Sequence, residues 1–188
     1  MEQSAKKTGK TYEMDMCSGP LFPKIVAFAV PLILSGILQL LFNAADIIVV
    51  GHFAGRESLA AVGSTTALIN LMINVFVGLS IGANVLVAQY SGAKKLKDLE
   101  ETVHTAMMLA LAGGFLLIFV GVFFSGPMLG LMGTPDDVLP LAALYLKIYF
   151  IGMPATLTYN FGAAILRAVG DTRRPLYFLL FAGAVNVV

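Results

Sequence analysis

A single carboxylate, Asp46, stands inside an otherwise oily run, PKIVAFAVPLILSGILQLLFNAADIIVVG, from Pro23 to Gly51. A charge at the centre of a membrane helix costs on the order of 2.5–3.5 kcal/mol on insertion scales. Such a group marks a functional site by default, provided that it faces protein or water rather than lipid. Its neighbours argue for this. Ser35, Gln39, Asn43 and Asp46 follow at steps of four, four and three, so one helix face gathers them. The other faces are Leu, Ile, Val and Phe. A second reading stands beside the first: Asp46 is four residues from Val50, and there it could reach headgroup water at the outer end of the span.

Two further stripes carry polar chemistry. Asn70, Asn74 and Asn84 fall near one face of the next apolar run. They would serve either as hydrogen-bond partners between helices or as groups lining a substrate cavity. Tyr145, Tyr149, Gly152, Thr156 and Tyr159 repeat at four, three, four and three. That stripe is either packing surface or a cavity wall offering stacking and hydrogen bonds to an amphipathic ligand. Lys147 is expected to snorkel to the interface. His104, at the start of a span, reads as interfacial.

The elements that position these groups are membrane helices. A hydrocarbon layer about 30 Å thick needs about 20 helical residues. Four runs satisfy that, at about 25–50, 59–90, 102–124 and 139–167, and a fifth begins at 175. The fifth has about 14 residues to the last one, too few for a crossing, which reads as a truncated chain. The expected fold is therefore all-α: a polytopic helix bundle behind a polar tail over 1–22. Pro31 is expected to loosen the first helix and Pro154 to interrupt the fourth. Gly78 and Gly82 form a GxxxG pair, read as plain helix packing. GHFAGRES and SGAKKLKDLEE read as connections, the second leading into a helix start, and Asp136 and Asp137 as caps for the following helix.

Charge sets orientation and excludes several functions. The 12 Lys and Arg nearly balance the 11 Asp and Glu, so no basic footprint for nucleic acid exists. The tail and the second and fourth connections are basic, whereas the first has only Arg56 and the third has no Lys or Arg. The positive-inside rule then places the N-terminus in the cytoplasm and Asp46 in the outer half of the cell (plasma) membrane. The one cysteine, Cys17, cannot form an intramolecular disulfide. There is no strand-linked phosphate loop, no Cys/His set with metal-ligand spacing and no credible nucleophile triad. Nothing points to an enzyme or to a bound cofactor.

Several separate blocks carry a family likeness. PLILSGILQLLFNAADIIVVGHFAG with LAAVG, then GLSIGANVLVAQYSGAKK, then LRAVGDTRRP resemble, in order, the multidrug and toxic compound extrusion (MATE) transporters. The resemblance implies two six-helix lobes, of which this chain would supply an incomplete first one, the C-terminal lobe being a missing partner. It implies export of small organic cations or amphipathic drugs in exchange for H+ or Na+. It also implies a cation-coupling role for Asp46, joined by Asn186 on the fifth helix, the pair being where Na+ would sit. Gln39, Asn43, Asn70, Asn74, Tyr145, Tyr149, Thr156 and Tyr159 are then the expected cavity lining. The expected mechanism has Asp46 buried enough to hold a proton or pair with Na+, with Pro31 as the bend point.

Two rivals remain. A lipid-linked oligosaccharide flippase of the same superfamily would line its cavity with several Arg or Lys. Here the only basic residue well inside an expected span is Lys147. An inert or assembly-only membrane fragment would show no transport at all.

Overall fold

The computed structural model describes Met14 and residues 19–187, without the Val187 side chain. Most of the expected tail, with Lys6, Lys7, Lys10 and Cys17, lies outside the described residues. Six helices follow: α1 (Leu21–Phe53), α2 (Gly55–Gly92), α3 (Leu96–Leu131), α4 (Leu139–Ile151), α5 (Met153–Ala168) and α6 (Arg173–Val187). The first three are each long and apolar enough to cross a membrane. α4 and α5 meet at a 50° bend and together make a fourth, broken crossing. The break falls at Gly152, and Pro154 follows it without a backbone donor, so the expected interruption is present.

The helices run past the expected boundaries because they outlast the hydrocarbon. At about 1.5 Å per residue, a helix such as α2 is nearly twice as long as the apolar layer is thick. Hydropathy therefore marks only its middle. The connection expected over GHFAGRES shrinks to Ala54, with Gly55 turning the chain at φ +81°. The second connection shrinks to Ala93–Lys95, and KDLEE is already helix. Pro31 does not interrupt α1, which continues through it as the one buried residue of that helix. Asp136 and Asp137 do not cap α4. They lie inside the preceding turn, where the N–H groups of Val138 and Leu139 donate to the Pro135 carbonyl at 3.0 and 2.9 Å.

α2, α3, α4 and α5 form the packed body. α3 supplies its centre with a row of small residues, Ala106, Ala110, Gly113, Gly114, Gly121 and Ser125, all buried. With lipid on the outside, apolar burial drives little helix association, and close backbone approach is what holds such helices together. Phe76 fills the notch at Gly113, Phe150 fills that at Gly121, and the Pro154 backbone sits over Gly114. Gly78 and Gly82 do not pack: nothing among the described residues comes within 4 Å of a side chain built at either. They point away from the body, so the GxxxG reading fails.

α1 and α6 lie beside this body and pair with each other. The Phe42 ring occupies the notch at Gly183. α1 otherwise meets only α2, and α6 meets only α5. The turn before α6 is held by Asp171, fully buried, whose Oδ1 accepts from the N–H groups of Arg173 and Arg174, both at 3.1 Å. Its Oδ2 lies 3.1 Å from Arg174 Nε, an ion pair without hydrogen-bond alignment. Asp171→Ala orphans two helix N-terminal donors and should cost about 1–2 kcal/mol through the cap alone. Asp171→Asn, which keeps an acceptor for those donors, should lose clearly less. Thermal unfolding in detergent followed by circular dichroism checks the order, and equal losses would refute the capping role.

Candidate functional site

Asp46 lies in the last third of α1, on the flank of the surface that packs on α6. The expectation that packing encloses it is not met: Asp46 is exposed in this chain, as are Gln39 and Asn43. The reason is that α1 touches only two helices, along the line of Pro31, Phe42 and Ala45. Ser35, the fourth member of the stripe, is half-buried and donates to the Pro31 carbonyl at 2.8 Å.

Asp46 nevertheless has a polar neighbour from the body. Its carboxylate and the Tyr145 hydroxyl on α4 are close enough to interact electrostatically. Tyr145 in turn lies against Tyr149, ring centroids 6.1 Å apart and planes tilted by 40°. Both tyrosines are half-buried. The stripe's upper part thus lies within electrostatic reach of the acid, which sequence spacing alone could not decide.

Asn186 reaches the same level. Three crossings separate α1 from α6, so the two run in the same direction. Phe42 meets Gly183, and Asp46 and Asn186 each lie one helical turn beyond that contact, by four and three residues. Asn186 is exposed, and no hydrogen bond among the described residues joins it to Asp46.

The remaining expected residues divide. Asn70 and Asn74 are exposed on α2. Counting outward from the shared turn at Ala54, Gln39 is level with Ile69 and Ser35 with Ile73, so the two asparagines stand beside the α1 stripe. Thr156 and Tyr159 have backbone duties instead. Thr156 Oγ1 donates to the Gly152 carbonyl at 3.3 Å, across the bend, and the Tyr159 hydroxyl donates to Pro175 O at 3.3 Å, tying α5 to α6. Asn84 is an interhelical partner, its Nδ2 donating to the Ala164 carbonyl at 2.7 Å.

Sequence reading missed a second polar cluster toward the other end of the bundle. A cavity of about 430 Å³ opens between α1, α2 and α5. Ser80, Asn84, Asn160 and Arg167 supply its polar wall, and Leu32, Val77 and Ile81 its apolar one. Arg167 had read as the end of the fourth run, where a basic connection begins, leaving Lys147 as the only basic residue well inside a span. It lies in the last turn of α5 and lines the cavity, whereas Lys147 is exposed on α4. The signal was present: Asn160 and Arg167 are seven residues apart, two helical turns, and so share a face. Among the described residues no group of three or more His, Cys, Asp or Glu could hold a metal ion.

A bundle of apolar crossings with an acid at a helix pairing and a broken crossing beside it is a multi-pass membrane protein of transporter type. A family model described as MatE matches residues 31–188, and the chain belongs to that family, whose members are transporters. It is 34% identical over 160 residues to a probable multidrug resistance protein, YoeA, of Bacillus subtilis (strain 168), a match covering 85% of this chain and 35% of that protein. It is 29% identical over 174 residues to the probable multidrug resistance protein YpnP of the same strain, covering 93% and 39% respectively. A crystal structure of a MATE in the bent conformation overlies 88% of this chain with a TM-score of 0.80 at 26% identity, using 37% of its own length. The chain thus spans little more than a third of the relatives it matches.

Proposed function

We propose that this chain forms part of a secondary antiporter that exports cationic or amphipathic organic compounds in exchange for H+ or Na+. The observation that carries the reading is that Asp46 stands exposed on α1 and near enough to Tyr145 of α4 for the two groups to interact electrostatically. An acid that is accessible and lies within electrostatic reach of a group on a second helix can take up a cation and make its presence felt in the body of the protein. Asn186, at the same level, adds an oxygen ligand. Exposed Gln39, Asn43, Asn70 and Asn74 offer hydrogen bonds to a cargo in the space alongside. The N-terminus is assigned to the cytoplasm from the Lys and Arg of the connections.

Kinship to proteins named for multidrug resistance supports the exporter over the flippase, as does a cavity wall with one Arg rather than several. The second reading, an assembly-only chain without transport of its own, draws on its covering 35% and 39% of those relatives. One assay separates them. Cells expressing the protein and loaded with ethidium are expected to expel it faster than cells carrying an empty vector. A protonophore should stop this if H+ is the coupling ion, and removal of external Na+ if Na+ is. Equal efflux with and without the protein supports the assembly-only reading.

A further inference from the structure

The cavity between α1, α2 and α5 contains a cation that has no carboxylate partner among the described residues, its one electrostatic neighbour being the neutral Tyr159 phenol. Arg167 is half-buried, and among the described residues no carboxylate pairs with it and no hydrogen bond occupies its guanidinium. Arg174 differs, being held by buried Asp171. A guanidinium cannot shed its charge to suit an apolar setting, so it needs an anion or water there. The rest of the wall is arranged for a solute. The Asn84 amide gives one of its two N–H groups to the Ala164 carbonyl, which leaves the second N–H as a donor for a solute. Ser80 donates to Val77 O at 2.8 Å, and Asn160 makes no hydrogen bond among the described residues. Leu32, Val77 and Ile81 face these groups from two helices. The volume falls in the range of small-molecule pockets.

We propose that this cavity binds the oxyanion of an amphipathic organic molecule, a carboxylate in the simplest case, with Arg167 as its charge partner and the apolar wall against its hydrocarbon part. The exporter reading is deepened by this, because cargo would then include zwitterions and not cations alone. The site itself stands on Arg167 and its cavity, and is separate from Asp46 in depth, its polar groups coming from α2 and α5.

The test uses two dyes that differ in one group. Rhodamine 110 carries a free carboxylate, and rhodamine 123 is its methyl ester. The purified chain in phosphatidylcholine nanodiscs is expected to bind the acid about tenfold more tightly than the ester by fluorescence anisotropy, the usual scale of one charge-assisted pair. Arg167→Gln should erase that preference while leaving ester binding unchanged, which also shows that the variant is folded. Arg167→Lys should keep part of it. Equal affinities for both dyes in the unaltered protein would overturn the proposal. So would a preference abolished by adding phosphatidylglycerol, since a lipid headgroup would then be the occupant. Should neither dye bind, the exporter reading suffers, and a thermal shift decides the anion site. Benzoate stabilising the protein where benzamide does not, with the effect lost in Arg167→Gln, upholds it; no benzoate effect refutes it.

Discussion

Asp46→Asn is expected to abolish ion-driven dye export while leaving the helical content unchanged. The amide has the shape of the acid and keeps the hydrogen bonds of an exposed polar group. It carries no charge for Na+ and has no proton to give up. If one ion is exchanged per dye molecule, a tenfold ion gradient sustains about a tenfold dye gradient, because each tenfold ratio is worth about 1.4 kcal/mol. The variant should therefore bring a tenfold concentration ratio back to about unity, with passive leak unaltered. The measurement is dye distribution across vesicles under an imposed H+ or Na+ gradient. Retained accumulation would remove Asp46 from coupling. Asp46→Glu is expected to keep partial activity, because the charge remains and only the reach changes.

Gly114→Ala is expected to be among the most damaging single methyls in the bundle. A β-carbon there would lie 2.5 Å from Cα and 2.9 Å from N of Pro154. Both are backbone atoms at the bend, so no side chain can turn aside to relieve the overlap. Either α3 and α5 separate or the bend opens, and the loss should be about 2–3 kcal/mol, the upper part of the overpacking range. Gly78→Ala and Gly82→Ala provide the control. Nothing lies within 4 Å of either position among the described residues, and each change should be neutral or stabilising by up to about 1 kcal/mol from helix propensity. Unfolding midpoints in detergent rank the three, and a Gly114→Ala midpoint equal to that of the controls would disprove the close approach.

That contrast also shows how far the residues alone can be read. The crossings and the interruption near Pro154 were legible, because hydropathy and a missing N–H act locally. Which glycines pack was not: Gly78 and Gly82 have the familiar spacing, yet Gly113, Gly114, Gly121 and Gly183 make the approaches. Spacing says that two small residues share a face, but not that another helix passes over it. Asp46 illustrates the same limit. Its type and place announced a candidate site, whereas its exposure and its electrostatic reach to Tyr145 depend on how α1 sits relative to a helix about a hundred residues away. Arg167 stood at the expected end of the fourth run, and nothing in the spacing along one helix says that α1 and α2 leave a cavity beside it.

The arrangement of α1 and α6 has a mechanical consequence. Clipped together at Phe42 and Gly183 and joined to the other four helices along narrow margins, the two make a panel on a frame. Tilting such a panel breaks few contacts, so its rest position is set by weak terms. Asp46 rides on the panel and Tyr145 on the frame, so any swing of the one against the other changes the separation of the two groups.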